Sequence, residues 1–356
     1  MNAYARLNME PVSPPDRQTE CKPYISVVVS AYFKRPYLSS ALRSTLQQEG
    51  PLSPYEVIVL SSENCSSEIE TIASLSREGV TVTQAILTTQ PSSAFLAEGI
   101  SRARGEVIVF LDDDDILASN KLSTIEAMFR ANKSLGYVHN AYQSIDSNGL
   151  VRKRATTSLR FPLLYNNKPF RVPPNPTPSQ VTWIGRSSID FNSSSISIRR
   201  STVMPYLKHM VESDMGPEII PFYSSLLSGS EVASTSDPLT YYRIHPDNKS
   251  NQQNLRTFTQ RLLVTLYKAE TMARQARNQT VMNLVEREVA YTQILVNLQG
   301  GKERSPMAKN VAALLPLVRY YNPFLNLTAL LLASLFLLSP STARQLYFFF
   351  HRWALS

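Results

Sequence analysis

Residues 106–111 read EVIVFL and run straight into Asp112, Asp113, Asp114 and Asp115. A short apolar run without polar alternation is the pattern of a strand buried on both faces, as in a parallel sheet. Four adjacent carboxylates repel one another, and a cation relieves that cost. Open α/β sheets bind ligands outside the carboxyl ends of their strands, which is where this acidic run falls. Magnesium and manganese take one or two carboxylates together with phosphate oxygens. The run therefore suits a metal–diphosphate site. The competing reading is a solvated acidic turn capping a helix that starts near Ser119. The position straight after EVIVFL favours the metal site.

Working outward, residues 24–30 (YISVVVS) and 55–60 (YEVIVL) are strands of the same type, and 80–87 is a weaker one. Between them, Leu38, Ala41, Leu42, Thr45 and Leu46 recur at helical spacing after Pro36. Ile69, Ile72, Ala73 and Leu75 mark a short helix over 67–77. A further helix spans 94–104, with Gly105 as its C-terminal stop. Strand and helix alternate, which implies a parallel sheet with helices on both faces. Downstream, 120–131 is an amphipathic helix and 137–145 a strand, with Asn148 and Gly149 as a turn signal. Residues 152–180 are irregular and proline-rich. A strand resumes at 195–198, short helices fill 203–227, a last strand covers 239–245 (LTYYRIH), and 255–298 is largely helical.

The balance of charge is uneven. The net charge is +8. Residues 1–250 hold 24 basic and 24 acidic residues, whereas 251–356 hold 12 basic and 4 acidic. A basic tail points to an anionic surface, lipid or nucleic acid. The arginines are spread over helices with no nucleic-acid motif, which leaves the lipid surface. Cys21 and Cys65 are the two cysteines, too few for a disulfide framework or a four-cysteine zinc site, so a reducing compartment is expected. Residues 1–21 are polar, carry Pro11, Pro14 and Pro15, and read as a disordered lead without a signal peptide.

Taken together, ISVVVSAYFKRPYLSSALRSTLQQ, YEVIVL and GEVIVFL followed by the aspartates resemble the family 2 glycosyltransferases of the GT-A fold. The resemblance covers roughly residues 22–250. It implies an α/β, Rossmann-like, mostly parallel sheet with flanking helices. A nucleotide-sugar half would span 22–125 and an acceptor half 126–250, followed by a helical C-terminal region over 251–356. It also implies an enzyme that moves a sugar from a nucleoside-diphosphate donor to a glycan, lipid-linked or cell-envelope acceptor, with Mn2+ or Mg2+ as cofactor and inversion at the anomeric carbon.

Residue by residue, Ser30 and Tyr32 match the family's nucleotide loop, and Asp112 the motif aspartate near the ribose. Asp114 matches the metal ligand, assisted by Asp115. YYRIHPDNKS resembles a closing motif that puts Arg243 and His245 near the diphosphate, with the histidine able to reach the metal. The base that takes the acceptor proton matches Glu218 by spacing to Gly229, with Asp214 as the rival. Where the family has Asp-Asp-Gly-Ser after its second strand, this chain has Ser61, Ser62, Glu63 and Asn64. A serine or Glu63 would then hold the nucleotide base, and a catalytically silent nucleotide- or sugar-binding module is the alternative function.

The last segment has no charged residue between Arg319 and Arg344. Its strongest apolar part is about 14 residues, or ~21 Å as a helix, which is short for a span. With an aromatic cluster beyond it, residues 320–353 are expected to lie in a membrane interface. A buried helix and a true span rank behind. This places the protein in the cytoplasm, peripheral on the membrane face, without a nucleic-acid partner and with a homo-oligomer left open.

Overall fold

A computed structural model of the chain describes residues 22–31, 36–50, 53–62, 65–66, 69–70, 74, 80–87, 92–152, 169–177, 179–180, 189, 192–213, 215–248, 255–300, 307–314 and 323–353. The apolar runs become β1 (Ile25–Ala31), β2 (Tyr55–Ser61), β3 (Val80–Ile86) and β4 (Val107–Asp112), paired in parallel in the order β3-β2-β1-β4. Their side chains sort by the two-residue period of a strand. Val27, Val29, Val107 and Val109 enter one core layer, while Val28, Ile58, Ile108 and Phe110 enter the other. Both faces are apolar because both are covered. Helix α1 (Leu38–Leu46) shields the first layer through Leu42, and α2 (Ser92–Arg102) the second through Phe95 and Ile100. Helix α3 (Lys121–Ala131) adds Leu122 and Phe129 to the first. The helix expected at 67–77 lies largely outside the described residues.

Two glycines set how closely these layers approach. A Cβ at Gly99 would sit 2.3 Å from Val28 Cγ1, so α2 seats on β1 only because residue 99 lacks a side chain. Gly105 is not a helix stop. Helix α2 ends at Arg102, and a Cβ at Gly105 would fall 2.6 Å from the Ser26 amide nitrogen. The Gly105 amide donates to Ser26 Oγ at 2.8 Å, which ties the start of β4 to β1.

The second half of the sheet mixes directions. Beyond β4 the order continues β8-β6-β9-β5, with β7 also on β9. These strands are β5 (Ile116–Leu117), β6 (Leu135–Ile145), β7 (Phe170–Val172), β8 (Ile196–Arg199) and β9 (Glu231–Arg243). β6 and β9 run parallel, while β5, β7 and β8 pair antiparallel. Strand β7 corrects the irregular expectation for 152–180; a three-residue strand between prolines leaves no periodic signal. Strand β9 starts at Glu231 rather than 239, and it runs through Pro238. That proline sits where the register against β6 shifts on either side of Ala141, a position that tolerates a missing amide hydrogen.

Short helices α4 (Arg200–Val203), α5 (Leu207–Val211) and α6 (Ile219–Leu227) precede β9. The stretch expected to be largely helical consists of α7 (Leu255–Gln275) and α8 (Gln279–Leu298). Arg277 takes a positive φ of 52° there, and the Asn278 side chain accepts from the Val281 amide. Leu266, Met272, Val281 and Val285 join the same core layer as Ile108 and Phe110. Helices α9 (Met307–Leu314), α10 (Pro323–Leu338) and α11 (Pro340–Trp353) pack with the end of α8 in a smaller cluster around Ile294, Leu298, Ala333 and Tyr347. Among the described residues, no helix is long and apolar enough to cross a membrane.

Candidate functional site

The chain winds from β1 outward to β3, then returns on the other side of β1 as β4. Such a reversal opens a crevice at the carboxyl ends of the two central strands. Ser30 lies in register with Asp112 at that point, and its carbonyl accepts the Asp113 amide at 3.2 Å. The Asp115 amide donates to the Asp112 carbonyl at 3.2 Å, closing a tight turn before β5. The acidic run is thus folded back on itself at the end of β4 and is not spread along a helix. Helix α3 starts after it, with Asn120 as N-cap and no side-chain capping bond, so the aspartates do not cap it.

Asp112, Asp114 and Asp115 each offer a carboxylate oxygen within 4.8 Å of the others. Asp112 Oδ2 accepts from Ser193 Oγ at 2.7 Å, and the Asp112 amide donates to Ser194 Oγ at 3.0 Å. Asp115 Oδ1 accepts from the Arg243 amide at 2.9 Å. Asp115 Oδ2 is buried with no hydrogen-bond partner. Burial, with the charges of Asp114 and Asp112 beside it, pushes the Asp115 carboxyl well above the usual carboxylate range. A buried carboxylate oxygen without a donor, among converging carboxylates, is the setting in which a hard divalent cation replaces the missing partner. An all-oxygen set of this kind fits Mg2+ or Mn2+.

His245 Nε2 lies 3.0 Å from Asp114 Oδ2. Its Nδ1 accepts from the Asp247 amide at 3.2 Å, which leaves the proton of the neutral ring on Nε2 and makes it the donor to Asp114. In this arrangement His245 orients the Asp114 carboxylate. Arg243 is buried and acts as a brace. Its Nε donates to the Asp114 carbonyl at 2.7 Å, and Nη1 to the carbonyls of Asp146 and Ser147 at 3.1 and 3.2 Å. Those carbonyls belong to the turn foreseen at Asn148 and Gly149, where Gly149 takes a φ of 83°. The ring of Tyr37 packs under both, 4.5 Å from the Arg243 guanidinium carbon and 5.1 Å from the His245 ring.

Lys121 and the 3-10 turn Ser193–Ser195 belong to the site and were not singled out from sequence. A lysine in the first turn of an amphipathic helix reads as solvated, and three serines have no periodicity. Lys121 is in fact fully buried, and its Nζ donates to the Ser194 carbonyl at 2.5 Å and to Thr240 Oγ1 at 3.1 Å. Burial lowers its pKa to about 7, against the opposing pull of Asp115.

The remaining sequence candidates are placed as follows. Ser61 is buried at the end of β2, its hydroxyl accepting from Gln84 Nε2 at 2.7 Å, and Ser62 follows with its amide on the Ala31 carbonyl at 3.3 Å. Glu218 is the half-buried N-cap of α6. Tyr32, Glu63 and Asp214 lie outside the described residues.

Residues 26–190 match the family model described as Glycosyl transferase family 2. A GalNAc(5)-diNAcBac-PP-undecaprenol beta-1,3-glucosyltransferase of Campylobacter jejuni is 30% identical over 142 residues, 39% of this chain and 42% of that protein. The chain spans about half the length of the curated relatives it matches, 41% of one and 56% of another. Among solved structures, S. aureus TarS 1-349 in complex with UDP-GlcNAc aligns with a TM-score of 0.54 at 13% identity, over 88% of this chain and 90% of that one. The mannosyltransferase PcManGT from Pyrobaculum calidifontis, in complex with GDP-Man and Mn2+, aligns with a TM-score of 0.50 at 15% identity, over 94% and 86%. At these identities the likeness is one of fold.

Proposed function

We propose that the chain, whose residues 26–190 match the family 2 glycosyltransferase model, transfers a sugar, with inversion, from a nucleoside-diphosphate donor to a lipid-linked or cell-envelope glycan. The observation that carries the proposal is the convergence of Asp112, Asp114 and Asp115 within 4.8 Å at the crevice between β1 and β4. Asp114 and Asp115 hold Mn2+ or Mg2+, which neutralises the diphosphate when bound. Asp112 faces the nucleotide. The Arg243 brace fixes the backbone of Asp114 and the carboxylate of Asp115, and His245 fixes the carboxylate of Asp114. Ser30, Ser61 and Ser62 border the nucleotide end of the crevice, and Tyr32 and Glu63 are assigned to nucleotide binding from the sequence alone. Glu218, or Asp214 as the rival, takes the proton of the acceptor hydroxyl. The hydroxyl oxygen bonds to the anomeric carbon as the bond to the diphosphate breaks, and the leaving nucleotide keeps the electron pair.

The acceptor class follows the C. jejuni relative, whose name specifies an undecaprenol-linked substrate. A peripheral seat on the cytoplasmic face of a membrane fits the end of the chain. There Leu331, Leu337, Leu338 and Leu346 are exposed on α10 and α11.

The test is donor turnover. The protein is incubated with UDP- and GDP-sugars and Mn2+, and the products are followed by NMR. One donor is expected to be cleaved, with inverted configuration at the released or transferred sugar. Cleavage is expected to vanish in EDTA, in Asp114→Ala and in Glu218→Gln. Binding of a nucleoside diphosphate without cleavage of any donor would instead favour a silent binding module.

A further inference from the structure

Beneath the aspartates lies a polar junction that the transfer chemistry does not use. Lys121, Asn140, Ser194 and Thr240 are each 0% exposed, and they come from α3, β6, the serine turn and β9. Lys121 Nζ donates to the Ser194 carbonyl (2.5 Å) and Thr240 Oγ1 (3.1 Å). Thr240 Oγ1 donates to the same carbonyl (2.8 Å) and accepts from Asn140 Nδ2 (3.0 Å). Burying an ammonium is costly, and the hydrogen bonds that hold Lys121 here run to a carbonyl and a hydroxyl. What it grips is the turn that holds the aspartates. Ser193 donates to Asp112 Oδ2, and Ser194 Oγ accepts from the Asp112 amide; Asp112 in turn offers an oxygen within 4.8 Å of those of Asp114 and Asp115.

We propose that Lys121 is a positioning residue that, through Ser194 and Thr240, locks the Ser193–Ser195 turn and so holds Asp112, which faces the nucleotide, at the spacing from Asp114 and Asp115 that a nucleotide-bound cation requires. The proposal rests on the cation–diphosphate site proposed above. It also makes a choice of sign. As a mere positive charge near the cluster, Lys121 would oppose a cation, and its removal would tighten metal binding. As a positioning residue, its removal weakens it. Loss of a partner behind a metal ligand typically costs about 10–100-fold in metal affinity.

The experiment titrates Mn2+ into the full chain with UDP or GDP present and reads free Mn2+ by electron paramagnetic resonance. Wild type and Lys121→Met are compared well below their melting temperatures. The Mn2+ dissociation constant is expected to rise about tenfold or more in the variant. An unchanged or lower constant overturns the proposal, even if the variant melts lower, because a purely structural lysine moves the melting temperature alone. If Lys121→Met does not fold, Thr240→Val cuts the same link. A weaker Mn2+ constant is expected there too, and an unchanged one overturns the proposal. A wild type that takes up no Mn2+ with either nucleotide overturns the site itself and this role with it.

Discussion

Asp115→Asn should stabilise the metal-free protein and at the same time remove its response to metal. Asp112, Asp114 and Asp115 offer oxygens within 4.8 Å of one another. At an effective dielectric of about 20, two unit charges at that separation repel by roughly 3.5 kcal/mol. The folded protein escapes part of this by keeping the Asp115 carboxyl protonated above its usual range, because it is buried beside Asp114 and Asp112. Asparagine needs neither the proton nor the charge. It retains Oδ1 for the Arg243 amide and replaces the unpartnered Oδ2 with a donor. A net gain of about 1–2 kcal/mol corresponds to a rise on the order of 2–5 °C in melting temperature. The sign with pH is fixed: a carboxyl whose folded pKa is raised loses its contribution as pH rises through that value, so the variant's advantage grows toward alkaline pH. Scanning calorimetry in EDTA at pH 8 measures the gain. With Mn2+ and UDP at about a hundred times their dissociation constant, wild type should gain roughly 2.7 kcal/mol and the variant almost nothing. A variant that melts lower in EDTA, or keeps the full metal-dependent gain, would refute the reasoning.

Three further outcomes are expected. Gly99→Ala places a methyl 2.3 Å from Val28 Cγ1 and 2.9 Å from Leu60 Cδ1, and overpacking of this kind should cost about 1–3 kcal/mol in urea unfolding; an unchanged midpoint would show that α2 can shift on β1. Burial raises the Glu126 carboxyl, but its bonds from Ser53 and Arg130 outweigh that and hold it below the usual range. Its contribution is therefore present above the unfolded value near ~4.3 and lost as pH falls through the folded one, so Glu126→Gln should flatten the acid limb of stability, and superimposable limbs would contradict this. Leu338 is 85% exposed, and Leu338→Glu should reduce flotation of the protein with anionic vesicles; equal flotation would remove α10 from a membrane contact.

Most of the parallel half of the sheet was legible because both faces of β1, β2 and β4 are buried. An uninterrupted apolar run such as EVIVFL has few other uses, and the aspartates follow at the strand's carboxyl end. The second half was less so. Strand β9 runs through Pro238 at a register shift, and β7 is three residues long; both depend on neighbours that the local sequence does not contain. The site divides in the same way. The carboxylates announce themselves by type and adjacency. Lys121 and Ser193–Ser195 do not, because their role comes from contacts across 73 or more positions in the chain. Arg243 and His245 were marked by the YYRIH stretch, and they contact the aspartates: Arg243 Nε bonds the Asp114 carbonyl and His245 Nε2 the Asp114 carboxylate. The stretch 255–298 read as largely helical, and the break within it was not located because Arg277 and Asn278 carry neither glycine nor proline.

The central claim is that Asp112–Asp115 hold a nucleoside diphosphate through a divalent cation. It is tested most directly by titrating UDP and GDP calorimetrically into the full chain, once with Mn2+ and once with EDTA, alongside Asp114→Ala. The expected result is saturable binding of one nucleotide with Mn2+, with no heat in EDTA or in the variant. Equal binding with and without metal, retained in Asp114→Ala, would contradict it.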